Sequence, residues 1–104
     1  MTISKYISDK FQKYGITMSE ADLLGIALSS GLNGDEEITT ENSTRVNVSI
    51  VRFIPELLLR ATSISESGFS MSWDINGLKS YYSFMCKQYG LKDELNDKPK
   101  VTFL

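Results

Sequence analysis

Apolar residues recur at helical spacing in four separate segments of the chain. In the first segment Ile3, Ile7 and Phe11 stand four residues apart, which places them on one face of a helix. The same kind of spacing elsewhere in the chain, together with its flanking residues, predicts helices over residues 2–14, 20–30, 41–60 and 75–89. The pattern therefore predicts a mainly α fold, a small four-helix bundle in a single domain over residues 1–104, with a tail over residues 91–104.

Capping residues set the expected ends of these helices. Ser19 precedes the second helix and is followed three residues later by Asp22, a carboxylate variant of the capping box. Asp74 is the expected N-cap of the fourth helix, and Gly90 is its expected C-terminal stop. These signals separate the second and fourth helices clearly from their flanking loops.

The third helix, capped by Thr39 or Thr40, is apolar around most of its circumference and is therefore expected at the centre of the bundle. Pro55 lacks an N–H and presses on the preceding turn, which costs about 3 kcal/mol in a helix interior, so we expect a kink or a restart there. The polar positions form one narrow stripe: Arg45, Ser49, Arg52, Glu56 and Arg60. This stripe is expected either to be solvated or to meet an acidic neighbour or DNA.

A serine-rich segment between the third and fourth helices has a different period. In the sequence SISESGFSMSW the apolar residues Ile64, Phe69, Met71 and Trp73 alternate with serines around a Glu-Ser-Gly step. Alternation on both sides of a turn predicts a short β-hairpin at about residues 62–73. Because an isolated hairpin is marginal in water, its aromatic face is expected to pack on the helices or on another subunit.

Composition and charge limit the classes of function. The 104 residues carry a net charge of -2 and a single cysteine. An acidic chain has no broad attraction for nucleic acid or anionic membrane, no apolar run approaches the ~18 residues of a membrane span, and one cysteine fits a reducing compartment. We expect a cytoplasmic protein with no membrane contact and at most indirect DNA contact.

Residues that carry catalysis or bind metals are sparse. The chain has no histidine, so the commonest general base and metal ligand is missing. Cys86, on the apolar face of the fourth helix, is interpreted as a buried structural thiol. The acidic run from Asp35 to Glu37 lacks the ligand spacing of an EF-hand loop and is interpreted as a solvated loop. We expect no enzymatic activity, cofactor, metal site or small-molecule substrate.

The order of the elements and the serine-rich segment resemble the small head-tail connector, or adaptor, proteins of tailed bacteriophages and prophages. In that family a segment of the type SES-G-x-S-x-S follows the long central helix and precedes the last helix. It corresponds here to Ser65, Glu66, Ser67, Gly68, Ser70 and Ser72. This resemblance covers about Arg45 to Gly90. Over nearly its full length the chain is also similar to a group of small uncharacterised proteins from gut bacterial genomes.

The connector resemblance implies a structural role in virion assembly. Such a subunit forms a homo-oligomeric ring, docks to portal or tail-completion proteins and is associated with the virion. The alternative is a cytoplasmic bacterial helical interaction module with some other partner. The candidate interaction residues are Arg45, Arg52, Arg60, Ser65, Glu66, Ser67, Gly68, Phe69, Trp73, Phe84, Val101 and Phe103.

Two surface features carry specific expectations. Phe84 projects away from the apolar face of the fourth helix, so we expect it to be partly exposed in the monomer and covered by a partner or a sibling subunit. The end of the chain, Val101 to Leu104, is rich in β-branched and aromatic residues and follows Pro99. We expect it to extend along the hairpin of its own or a neighbouring subunit, the alternatives being a disordered tail or one packed on the helices.

Overall fold

The described part of the chain is built from four helices. The structure is a computed structural model that describes residues 1–64 and 73–95, with the backbone alone for residues 61–64. The helices are α1 (Ile3–Gln12), α2 (Glu20–Ser29), α3 (Ser43–Ile64) and α4 (Ile75–Tyr89). The predicted mainly α helical bundle is confirmed. Within the described ranges, none of these helices has the length and apolar character needed to cross a membrane.

The central position predicted for the third helix is confirmed, because α1, α2 and α4 all pack on α3. Val46, Ile50, Val51 and Ile54 of α3 have no exposed surface. Against this part of α3 the other helices bury the following side chains: Ile3, Ile7, Phe11, Ile26, Ala27, Leu78 and Tyr82. Removing this much apolar surface from water is the main term that holds the bundle together.

The predicted caps of α2 and α4 form the expected bonds. The Ser19 hydroxyl accepts the N–H of Asp22 at 3.1 Å, and the Asp74 carboxylate accepts the N–H of Gly77 at 2.9 Å. Gly90 ends α4 with φ 69°, in the left-handed region that glycine adopts without strain. The bounds predicted for α4 from these signals are those observed.

The third helix begins two residues later than predicted because a turn precedes it. The Asn42 side chain accepts the N–H of Thr39 at 2.8 Å, and the Thr39 hydroxyl accepts the N–H of Asn42 at 3.2 Å. This reciprocal pair closes the turn, so the first helical residue is Ser43.

The same helix passes through Pro55 without interruption, so the predicted restart there is wrong, and the alternative, a kink, stays a prediction. Ile54 and Leu57, which flank the proline, are both buried in the core. Burial of these apolar neighbours offsets the hydrogen bond that the proline removes from the helix.

The short hairpin predicted at about residues 62–73 is not supported. Its first strand was expected from residue 62, but residues 62–64 form the last turn of α3. Neither glycine nor proline interrupts the chain between Arg60 and Ile64, and so short a serine-apolar run fits either a helix or a strand. Residues 65–72, the rest of the predicted hairpin, lie outside the described residues. Where the structure is described it contains no sheet, and Thr2 and Glu37 form an isolated β-bridge.

The loop between α2 and α3 packs on the start of α1 through its backbone. The N–H of Ile3 donates to the carbonyl of Glu36 at 2.8 Å, and that of Ser4 donates to the carbonyl of Gly34 at 3.0 Å. These bonds satisfy two of the N–H groups that a helix start leaves without an intrahelical partner. A Cβ at Gly34 would meet the Ser4 side chain, so glycine allows this close approach. The loop is thereby held against the start of α1.

Candidate interaction surfaces

Two of the three arginines in the predicted stripe bind groups of their own chain. Arg60 forms a bidentate ion pair with Asp22, at 2.8 and 3.0 Å, and a second ion pair with Glu56. Arg45 donates from Nε and Nη2 to the carbonyl of Ser30, at 3.3 and 3.2 Å. These contacts tie both ends of α2 to α3, so the two helices run antiparallel.

Arg52 is the member of the stripe whose guanidinium remains available. It is exposed and forms no ion pair or hydrogen bond with another residue in the described ranges. Arg52 and Glu56 stand four residues apart, a spacing that allows an ion pair on a helix, but Glu56 pairs with Arg60 instead. Ser49 is buried, so the stripe is also not continuous along the surface.

The Asp22–Arg60 pair makes stability depend on pH. Hydrogen bonding from Arg60 holds the pKa of Asp22 below its ordinary value of 3.8. A carboxyl whose pKa is lower in the folded state stabilises the fold above its unfolded pKa, and this contribution is lost as the pH falls through the folded pKa. The Asp22 side chain is only 17% exposed, so solvent screens the pair less than it screens a fully exposed pair.

We therefore expect Asp22→Asn to lower the free energy of unfolding by roughly 1 to 2 kcal/mol at neutral pH. The difference from the wild type should begin to shrink as the pH falls to about 3.8, the ordinary pKa of the unfolded carboxyl, and should reach zero only below the lowered pKa of the folded state. Urea denaturation at a series of pH values measures this. The control is Asp9→Asn, which breaks an exposed pair with Lys5 and should cost no more than about 0.5 kcal/mol. Equal effects of the two substitutions would contradict the assigned role of Asp22.

Among the helix side chains that the structure describes, four large apolar ones are more than half exposed. They are Leu24 at 54%, Leu28 at 62%, Leu59 at 71% and Phe84 at 64%. The predicted exposure of Phe84 is confirmed. Leu24 and Leu28 lie one turn apart on the outer face of α2, so they form one continuous apolar strip. An apolar strip of this kind is the surface that a second protein can cover.

An acidic depression lies between the start of α2 and the α2–α3 loop. It has a volume of about 380 Å³ and is lined by Ser4, Glu20, Leu23, Leu24, Asn33, Gly34 and Asp35. Leu23 and Leu24 supply an apolar floor, and Glu20 and Asp35 supply two carboxylates. Neither carboxylate has an ion-pair partner in the part of the chain that the structure describes. The depression therefore combines apolar surface with unneutralised negative charge.

Two other depressions flank α3. The first, about 450 Å³, lies between α2 and α3, and its lining includes Asp22, Arg52, Phe53 and Glu56. The second, about 240 Å³, lies between α3, α4 and the residues that follow α4, and Arg52 and Cys86 both line it. Burial raises the pKa of the Cys86 thiol, and the residue is 2% exposed. Both properties agree with its interpretation as a structural thiol.

Two adjacent tyrosines of α4 differ in how their hydroxyl groups are satisfied. The Tyr81 hydroxyl is buried without a hydrogen-bond partner in the described structure, whereas the Tyr82 hydroxyl accepts the N–H of Glu94 at 2.9 Å. Burial is the main reason that the pKa of each tyrosine is raised to about 12. A buried polar group without a partner costs stability, and one with a partner contributes to it.

Replacing each of these two tyrosines by phenylalanine should therefore affect the free energy of unfolding differently. Tyr81→Phe removes an unpaired hydroxyl and should leave the free energy of unfolding unchanged or raise it by up to about 1 kcal/mol. Tyr82→Phe leaves the Glu94 N–H without its partner and should lower it by about 1 kcal/mol. Urea denaturation compares them directly. A loss in Tyr81→Phe as large as that in Tyr82→Phe would show that the Tyr81 hydroxyl has a partner.

Of the remaining candidate interaction residues, the structure describes Trp73 and not the others. Trp73 is half-buried and packs against the core from the segment just before α4. The following candidates lie outside the described residues: Ser65, Glu66, Ser67, Gly68, Phe69, Val101 and Phe103. The expected pairing of the tail with the hairpin lies outside them as well and stays a prediction. Within the described ranges no three potential metal ligands cluster.

The apolar strip and the acidic depression were not among the sequence-derived candidates. Their signal in the sequence is the run from Leu23 to Leu28, which is too apolar for a helix that buries one face alone. Asp35 lines the same depression as Glu20, in a loop that backbone bonds hold against α1, and no residue pattern reports such bonds.

Comparison with known proteins gives a significant match to a family model and to no individual curated protein or solved structure. A family model described as a family of unknown function, DUF6706, matches residues 1–103, nearly the whole length. The chain therefore belongs to the DUF6706 family.

Proposed function

We propose that this protein is a structural adaptor subunit, which acts by associating with copies of itself and by docking to other proteins. The observation that carries the proposal is the set of exposed apolar side chains on separate helices, with Leu24 and Leu28 forming a strip on α2 and Phe84 standing alone on α4. Isolated exposed apolar residues are common, but contiguous ones rimmed by polar residues are typical of protein interfaces. The acidic depression beside Leu24 extends this surface.

The specific setting that we propose is the head-tail connector of a tailed phage or prophage. The resemblance in the serine-glycine segment supports this setting, and so does the central helix of 22 residues that precedes it. In this setting the subunit forms a ring, docks to portal or tail-completion proteins and becomes associated with the virion. The strip of Leu24 and Leu28 on α2 and the Phe84 side chain on α4 supply surfaces for such contacts.

Electron microscopy of the purified protein mixed with the portal protein encoded in the same genome tests this setting. We expect added density on the portal ring with the rotational symmetry of an oligomer. The double variant Leu24→Asp/Leu28→Asp should remove that density if the α2 strip is used, while Leu59→Asp serves as a control at another exposed leucine. A wild-type protein that leaves the portal bare would contradict the connector setting and favour a helical interaction module with another partner.

A further inference from the structure

We propose that the acidic depression receives Phe84 of a second copy of this chain, with Lys87 of that copy placed against the carboxylates. The inference rests on the self-association in the proposed function and adds the two surfaces that meet. The receiving surface is the acidic depression with its floor of Leu23 and Leu24. The inserted surface, which we call the α4 knob, is Phe84 with Lys87.

The α4 knob is an apolar side chain with a positive charge beside it. Phe84 is 64% exposed, and Lys87 stands one helical turn further along the exposed face of α4. Lys87 has no ion-pair partner among the residues that the structure describes. Phenylalanine is enriched at the cores of interfaces, where an aromatic side chain fills a pocket of its partner.

Charge distinguishes the acidic depression from the two depressions that flank α3. Its lining contains Glu20 and Asp35 and no basic residue, whereas Arg52 lines both of the others. The carboxylates of the larger one, Asp22 and Glu56, are already paired with Arg60. In the smaller one Glu94 stands with both Arg52 and Lys92. Inserting Phe84 beside Arg52 would bring Lys87 close to a like charge, which disfavours those sites. In the acidic depression the lysine meets two carboxylates that lack ion pairs, while the ring meets the leucine floor.

The positions of the two surfaces predict the symmetry of the contact. α2 and α4 both pack on α3, and in the described structure they do not pack on each other. The depression and the knob therefore lie on different helices, and the proposed contact uses one of each, so that the second knob and the second depression stay free. A contact of this kind is heterologous, and its repetition gives a closed ring or an open filament, whereas a contact between identical surfaces stops at a dimer.

Variants that block one surface each give the sharpest test. Leu24→Asp places a third carboxylate in the depression, and Phe84→Asp removes the ring of the knob. Both side chains are more than half exposed, so the monomer should keep its helical content, which circular dichroism checks. At concentrations where the wild type associates, each variant alone should be mostly monomeric, because its dissociation constant for self-association is raised roughly tenfold or more over the wild type. Leu59→Asp, at another exposed leucine, should associate as the wild type does.

Mixing the two blocked variants should restore one contact and no more. The intact depression of the Phe84→Asp chain receives the intact knob of the Leu24→Asp chain, so sedimentation velocity should show a one-to-one dimer without higher species. If Phe84→Asp alone still associates like the wild type, the inferred pairing is wrong while self-association stands. If the wild type is monomeric throughout, self-association and the pairing both fail.

A charge exchange identifies the ion pair within the contact. Lys87→Glu and Glu20→Lys should each weaken association, and the double variant should recover most of the lost affinity because the charges are again opposite. Added salt should weaken association of the wild type, since rim charges are screened. Failure of the double variant to recover, with both single variants folded, would overturn the placement of Lys87 against Glu20.

Discussion

Ile54→Ala is expected to lower the free energy of unfolding by about 2 to 4 kcal/mol. Ile54 lies in the middle of α3 and has no exposed surface. The substitution removes buried apolar contacts and leaves a cavity in a helix against which all three other helices pack, so the site cannot collapse easily. Urea denaturation followed by far-UV circular dichroism measures the loss.

The matched control is Leu59→Ala on the same helix. Leu59 is 71% exposed, so removing its side chain should change stability by no more than about 0.5 kcal/mol. Comparable losses at Ile54 and Leu59 would contradict the orientation of α3 in the bundle. The comparison matters for function, since it separates the apolar residues that hold the monomer together from those on its surface.

Arg60→Glu is expected to cost about 2 kcal/mol and Arg52→Glu less than about 0.5 kcal/mol. Arg60 is bound by Asp22 and Glu56, so reversing its charge breaks both ion pairs and places a third carboxylate between the other two. The side chain of Arg60 is 42% exposed, which keeps the loss below that of a fully buried pair. Thermal or urea denaturation of the two variants measures the difference.

Arg52 provides the comparison because it carries the same charge on the same helix without an ion pair in the described ranges. Equal losses in the two variants would show that the Arg60 contacts contribute nothing specific. If Arg52→Glu leaves stability intact but changes association with a partner, Arg52 is the arginine of the stripe that serves an interface.

The sequence predicted the parts of the fold that depend on local chemistry. Ser19 and Asp74 are caps whose oxygen atoms bind N–H groups three residues ahead, so the starts of α2 and α4 are encoded within one turn. The apolar circumference of the third helix likewise required a central position, since that much apolar surface has to be covered. The exposure of Phe84 was likewise predicted from helical spacing, which places it away from the apolar face of the fourth helix.

The predictions of structure failed where a local sequence pattern is compatible with two different structures. Near Ile64 a short alternation of serine and apolar residues suits a strand or the last turn of a helix, and the preceding helix continued through it. At Pro55 the cost of the missing N–H was known, but the burial of Ile54 and Leu57 that offsets it depends on tertiary packing. Likewise, the partner of Arg60 is Asp22, which lies 38 residues away in the chain and has no signature in the spacing of α3.

Sedimentation equilibrium of the wild-type protein over a wide range of concentrations tests the central claim, self-association through exposed apolar surfaces, most directly. We expect an average mass that rises with concentration above the 11.7 kDa of one chain, and a smaller rise for Phe84→Asp at the same concentrations. A mass of one chain at every concentration would contradict the claim that this protein associates with copies of itself.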